Sequence, residues 1–202
     1  MTRMRGEIPM GLRLRIWRAR FSIPGLLSRC DDRKVVALVT AFHGGLALLT
    51  ISLFAWQTDL PLVFPALGPS AFILFSTPLA PGAAPRNLIL GHIGCLVLGY
   101  GIWQAVSFLT GSPVSMTLGG LPMICSATLG LAVSCLFLIG ISCPHPPACT
   151  SCLVVSLGIV TNGFDLLLMA MVVVWLTFQA VAMNRLAGLP VPVWSPRLPS
   201  TL

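Results

Sequence analysis

Ser142-Cys-Pro-His-Pro-Pro-Ala-Cys-Thr-Ser-Cys-Leu-Val-Val-Ser156 lies in one of the most apolar parts of the chain, yet carries three prolines, a histidine and three cysteines. Proline has no backbone N–H and its ring clashes with the preceding helical turn. Pro144, Pro146 and Pro147 therefore break any helix that reaches them. In hydrocarbon, broken backbone survives only where it is buried in protein or lines a polar cavity. An ionisable residue at the centre of such a break, here His145, marks a candidate functional site.

The surroundings are those of a membrane protein. Of 202 residues, 56% are hydrophobic and 8% charged, against about 25% charged in an ordinary globular domain. Nine of the twelve basic residues fall in the first 34 positions, from Arg3 to Lys34, so the net charge of +7 is largely a property of one end. That asymmetry points to membrane orientation and anionic headgroups. It excludes nucleic acid as a partner, because no basic, aromatic-rich soluble domain accompanies it. Residues 1–34 read as a basic interfacial segment: arginines interrupt Leu12, Leu14, Ile16, Trp17 and Phe21, which suits an amphipathic stretch on the headgroups better than a signal peptide.

Outward from the break, the rest of the chain divides into apolar runs. Val35–Trp56 is long enough to cross ~30 Å of hydrocarbon at ~1.5 Å per residue. Leu60–Pro78 is interrupted by Pro61, Pro65 and Gly68-Pro69-Ser70-Ala71, and its second half restarts as a helix with Gly68 near the cap and Ser70 offering a hydroxyl. Leu88–Leu109 and Leu121–Ile141 follow, then the break with its fifth segment to about Val160, and Phe164–Ala182. Residues 35–185 thus form the transmembrane domain, and the proline-rich tail 186–202 is expected to be extended or disordered. The fold class is an all-α membrane protein, a compact bundle of about six segments with two of them broken.

Gly68-Pro69-Ser70-Ala71 and His145-Pro146-Pro147-Ala148 align at an offset of 77 residues, which also carries the third run onto the sixth. Two units of span, broken segment, span would result. Three crossings per unit make the second unit inverted relative to the first. With six crossings and both termini in the cytoplasm, Arg86, Arg185 and Arg197 lie inside and Asp59 and Asp165 outside, as the positive-inside rule prefers. A four-span alternative with re-entrant breaks places Arg86 outside.

Between Leu60 and Phe164 the only charged side chain is Arg86, with no Asp or Glu. A bare-cation site ordinarily needs a carboxylate to offset dehydration. The region offers instead donors and positive charge: Arg86, Asn87, His92, His145, Ser70, Ser151 and two helix starts at Gly68-Pro69 and Pro146-Pro147. Helix N-termini, with a dipole worth ~0.5 charge, favour an anion. The amides after Gly68 and Pro147, the hydroxyls of Ser70 and Ser151 and the ring of His145 are the groups expected to face it, with Arg86 at the mouth. Each has a plainer reading. His145 could cap the fifth segment, Ser70 could bond back to its own helix, and Arg86 and Asn87 could anchor to headgroups. His43 and His92, among small residues, could be interhelical hydrogen bonders.

Seven cysteines, mostly inside apolar runs, read as reduced and buried. Cys143, His145, Cys149 and Cys152 could together hold a soft metal, although Cys95, Cys125 and Cys135 show the same residue scattered without ligand spacing. No metal or other cofactor is expected.

Gly68-Pro69-Ser70-Ala71, Pro85-Arg86-Asn87 with Gly91-His92 beyond, and His145-Pro146-Pro147-Ala148 after a long apolar run together resemble the HPP family of integral membrane proteins, over roughly residues 35–185. The resemblance implies a compact helical bundle, found in bacteria and plastids, with some members implicated in nitrite transport. One departure follows the tripeptide: the family tends to continue Gly-Ala-Thr where this chain has Cys149-Thr150-Ser151.

The expected function is accordingly a transporter or channel-like carrier for a small, nitrite-like monovalent anion, with proton coupling open to His145. Its partners are the lipid bilayer, a small inorganic anion and, in a homo-oligomer, copies of itself. Its expected place is the bacterial inner membrane with both termini cytoplasmic. No nucleophile-base-acid set or phosphate-binding glycine loop suggests an enzyme. A membrane scaffold or sensor and a soft-metal or thiol-redox protein are the competing classes.

Overall fold

The computed structural model describes residues 22–28, 31–116 and 119–196. Of the interfacial segment expected at residues 1–34, residues 1–21 and 29–30 lie outside the described residues, as does Arg197. Seven α-helices are described: α1 Ile23–Leu27, α2 Asp32–Thr58, α3 Leu67–Ser76, α4 Pro85–Thr110, α5 Gly120–Gly140, α6 Pro147–Ser156 and α7 Gly163–Leu186. A 3₁₀ turn at Pro81–Ala83 precedes α4. α2, α4, α5 and α7 are long and apolar enough to cross a bilayer, while α3 and α6 have ten residues each, ~15 Å or about half that thickness.

Local chemistry sets most of these boundaries. Asp31 caps α2 by accepting from the Arg33 amide, and Asn162 caps α7 by accepting from the Asp165 amide, satisfying donors that a helix start leaves unpaired. Pro85 and Pro147 stand in the first turns of α4 and α6, where the missing N–H costs nothing. α3 differs from expectation. Its cap position is Ala66, two residues before Gly68, and alanine has no side-chain acceptor for the first turn; the Ser70 hydroxyl, inside the helix, bonds to tertiary partners.

The contacts give the direction of each pass. At one end of the bundle, the near end, the Ile23 amide donates to the Ala187 carbonyl, the Arg86 amide to the Trp194 carbonyl and the Asn184 side chain to the Leu74 carbonyl. The end of α3, the start of α4 and the end of α7 therefore lie together. At the far end Ser126 of α5 donates to the carbonyl of Ser156, the last residue of α6, and the Trp103 indole of α4 to the Val114 carbonyl. α2 runs antiparallel to α3, since His43 and Gly44 meet Phe75 whereas Ile51 lies beside Leu67.

The chain thus passes along the bundle six times, four as long helices and twice as an irregular stretch joined to a half-length helix. α2-α3-α4 and α5-α6-α7 run in opposite directions, as two inverted units require. Arg86 and Arg185 share the near end, and Asp59 and Asp165 lie toward the far one. A re-entrant path for either broken segment would put both ends of that segment at one end of the bundle, which these contacts contradict.

α6 packs into the centre, between α4 and α5. The approach to α4 is close: a Cβ on Gly99 would stand 2.6 Å from the Cys152 carbonyl oxygen, so only glycine allows it. The main core joins Ala47 and Ile51 of α2, Leu67, Leu74 and Phe75 of α3, Leu88 and Leu96 of α4, and Met169, Val173 and Leu176 of α7. Outward-facing Phe42, Phe54, Phe108, Leu136, Ile139 and Phe178 are more than half exposed, as befits a lipid-facing surface rather than a water-facing one.

The tail departs from expectation. Up to Pro196 it folds back on the near end, with Val191 buried and its carbonyl accepting from both Nε and an Nη of Arg185. Gly188 makes the turn with φ +88.

Candidate functional site

Four side chains foreseen in the sequence converge inside the bundle. Ser70 is on α3, His92 on α4, His145 in the break before α6 and Ser151 on α6, and each is essentially fully buried. The Ser70 Oγ lies 3.0 Å from His92 Nε2 and 3.1 Å from His145 Nε2. His92 Nδ1 lies 2.7 Å from Ser151 Oγ, and His145 Nδ1 2.7 Å from the Gly82 carbonyl. Five groups from five segments form one unbroken hydrogen-bonded chain: Ser151, His92, Ser70, His145, Gly82.

Helix geometry explains the convergence. His92 is the eighth residue of α4, ~10 Å inside its near end at ~1.5 Å per residue. Ser70 stands at a similar depth on the antiparallel α3, so their side chains meet. Ser151 lies one turn into α6, where it faces α4. The break at Ser142–Pro146 brings His145 to the same level: Ser142 has φ 53, and the Cys143 amide donates back to the Leu138 carbonyl, closing the end of α5. A Cβ on Gly91, the residue before His92, would lie 3.4 Å from Ala148 and 3.7 Å from the His145 side chain. Small residues on α4 thus admit the break.

The two short helices begin beside this cluster and point in opposite directions. Pro69, Phe72 and Ile73 of α3, with Pro146, Pro147 and Thr150 from the start of α6, line an open groove of about 510 Å³. Pro69, Pro146 and Thr150 are the immediate neighbours of Ser70, His145 and Ser151, so the buried chain lies directly behind the groove. Gly68 instead lines a second cavity, between α2 and α3.

Other expectations need correction. The amides thought to face a ligand are already used: Ser70 N–H donates to the Ala66 carbonyl, Ala148 N–H to His145 and Cys149 N–H to Pro146. His145 does not cap α6 with its ring. Arg86 and Asn87 stand apart from the four converging side chains. Arg86 donates to Asn87 Oδ1 and reaches the Ile141 carbonyl at 3.5 Å, while the buried Asn87 donates to the Pro81 carbonyl at 2.8 Å. They tie down the turn that presents the Gly82 carbonyl to His145. His43 finds no partner for Nδ1, and its ring packs against Phe42 and Phe75.

Among the described residues no group of three or more His, Cys, Asp or Glu is placed to hold a metal ion. Cys143, His145, Cys149 and Cys152 do not converge. His145 turns to Ser70 and Gly82, and the Cys152 thiol turns to the Gly130 carbonyl. Nor are the cysteines uniformly buried. Cys95, Cys143 and Cys152 are, while Cys125 and Cys149 are partly exposed and Cys135 is exposed.

The family model described as "HPP, transmembrane region" matches residues 31–192. The chain belongs to the HPP family. The matched region begins at the cap of α2 and ends in the docked tail, so it takes in every HPP helix from α2 to α7 and the whole cluster. No curated protein and no solved structure matches the chain.

Proposed function

We propose that this HPP-family membrane protein is a transporter or channel-like carrier for a small monovalent anion of the nitrite class, and not an enzyme. The observation that carries this reading is the gathering of Ser70, His92, His145 and Ser151 beside the starts of two oppositely directed half-length helices. Each helix start carries the positive end of a dipole worth ~0.5 charge. The sequence from Leu60 to Phe164 has no carboxylate to oppose it. Because the first-turn amides are internally bonded and the buried side chains are bonded to one another, an anion would be held by that dipole field and, once His145 is protonated, by the charge of its imidazolium.

Arg86, half-buried at the near end, adds the only formal positive charge along the path. The proposed orientation puts that end, with Arg185 and both ends of the described chain, in the cytoplasm of a bacterial plasma membrane, following the positive-inside rule.

Purified protein in proteoliposomes, offered nitrite, nitrate, formate, chloride, sulfate and sodium in turn, tests the reading. Flux of the small monovalent anions above that of protein-free vesicles is expected. Flux of none, with no anion raising the thermal stability of the purified protein, would favour the scaffold class instead.

A further inference from the structure

Of the five groups in the buried chain, one has a fixed role. The Gly82 carbonyl can only accept, so His145 Nδ1 carries a proton. With His145 neutral, its Nε2 must then accept, and the donor is the Ser70 hydroxyl. Ser70, having spent its proton, accepts from His92 Nε2–H. His92 Nδ1 is left as an acceptor, and Ser151 donates to it. With both rings neutral this is the one arrangement that makes all four hydrogen bonds, and it runs in a single direction from Ser151 to Gly82.

We propose that this chain is a one-proton relay and store, which takes up a proton at Ser151 and holds it as an imidazolium at His145 by reversing the three bonds between them. A proton arriving on Ser151 Oγ releases the original hydroxyl proton to His92 Nδ1. His92 Nε2–H passes its proton to Ser70 Oγ, and Ser70 passes its own to His145 Nε2. One proton enters and one imidazolium results, with no other bond made or broken and no oxidant or reductant involved. Afterwards His145 Nε2–H donates to Ser70, Ser70 donates to His92 Nε2 and His92 Nδ1–H donates to Ser151. Every bond of the chain survives, so the heavy atoms need not move.

Three features favour the charge at His145 and limit it to one. The imidazolium there keeps a carbonyl acceptor at Nδ1, whereas His92 would face two hydroxyls. A second charge at His92 would stand against the first with ring centroids 5.0 Å apart, and Ser70 would need to accept from both rings. Among the described residues no carboxylate faces the cluster: α3 contributes Ser70, the 3₁₀ turn the Gly82 carbonyl, α5 Leu138 and α6 Ser151. Arg86, the one formal charge on α4, is engaged with Asn87 and Ile141. Resting on the carrier reading, the stored proton would travel with the anion and balance its charge.

Two measurements on the full-length protein separate the parts. Nitrogen-15 NMR of histidine-labelled protein in lipid nanodiscs should show His145 as the Nδ1–H tautomer and His92 as the Nε2–H tautomer at neutral pH. Acidification should then give a single imidazolium at His145 while His92 changes to Nδ1–H. Charge appearing first on His92, or His92 holding Nε2–H while His145 charges, would overturn the relay. In Ser70→Ala the tautomer change at His92 should vanish, and in Ser70→Thr it should return; if neither variant folds, the wild-type spectra still decide. In proteoliposomes, nitrite entry should acidify the lumen by one proton per anion. Nitrite flux without acidification would overturn the coupling, whereas absence of flux would strike the carrier reading and leave the NMR result standing.

Discussion

Ser70 and His145, 75 positions apart in sequence, are joined by a 3.1 Å hydrogen bond that ties the first broken segment to the second. The same Ser70 oxygen reaches His92 at 3.0 Å. One hydroxyl therefore links the two inverted halves of the bundle. Ser70→Ala should leave Nε2 of both rings buried and unpaired, a cost of ~1–3 kcal/mol for each. The expected outcome is a thermal unfolding midpoint lowered by several degrees in detergent, with Ser70→Thr close to wild type. Unchanged stability in Ser70→Ala would mean that the bond contributes little.

The approach of α6 to α4 depends on Gly99. Adding a Cβ there forces a backbone oxygen aside, since it would stand 2.6 Å from the Cys152 carbonyl. Gly99→Ala should destabilise the protein by ~1–3 kcal/mol through overpacking. Gly45→Ala is the matched control, because nothing lies within 4 Å of the added methyl, and it should stay within about 0.5 kcal/mol of wild type. Equal midpoints for the two variants would contradict the packing described.

Six passes make a direct prediction about sidedness. Thr77 and Leu186 are exposed toward the near end, Asp59 and Phe164 toward the far end. Single cysteines placed at these positions, with the native exposed Cys135 replaced, should react with an impermeant reagent in two groups. Positions 77 and 186 should label from one side of the membrane and 59 and 164 from the other. Labelling of 77 together with 59 would make the first broken segment re-entrant.

Arg86→Gln removes the one formal charge between Leu60 and Phe164. Apparent affinity for the anion should weaken by no more than about tenfold at low ionic strength. The difference should shrink near 0.1 M salt, where exposed charges are screened beyond ~10 Å. A loss that persists at high salt would indicate that Arg86 acts through the turn it holds at Asn87 and Ile141, not as a steering charge.

The spans were legible because hydrocarbon imposes length and apolarity on every crossing, so Val35–Trp56 and Phe164–Ala182 each lie inside an observed helix, α2 and α7. The breaks were legible because proline excludes helix wherever it falls, and the absence of carboxylates needs no structure to see. The chain of contacts was not. Which way His92 points depends on how α4 is rotated against α3 and α6, and hydropathy is silent on that. The Gly82 carbonyl has no sequence signature, since every residue has one. Ser70 was legible as a hydroxyl beside the break, but its two imidazole partners were not, because they come from distant parts of the chain. The docking of the tail was not legible either, because prolines predict an irregular path but not the bonds from Arg185 to the Val191 carbonyl.

Nitrite flux into proteoliposomes, compared between wild-type protein and His145→Ala reconstituted at equal density and checked for folding, tests the central claim most directly. The account predicts selective uptake of nitrite over sulfate and sodium by the wild type, and a loss of about tenfold or more in the variant, since removing the ring that carries the balancing proton costs ~1–3 kcal/mol of anion stabilisation. Wild-type uptake no faster than in empty vesicles, or full uptake by folded His145→Ala, would contradict it.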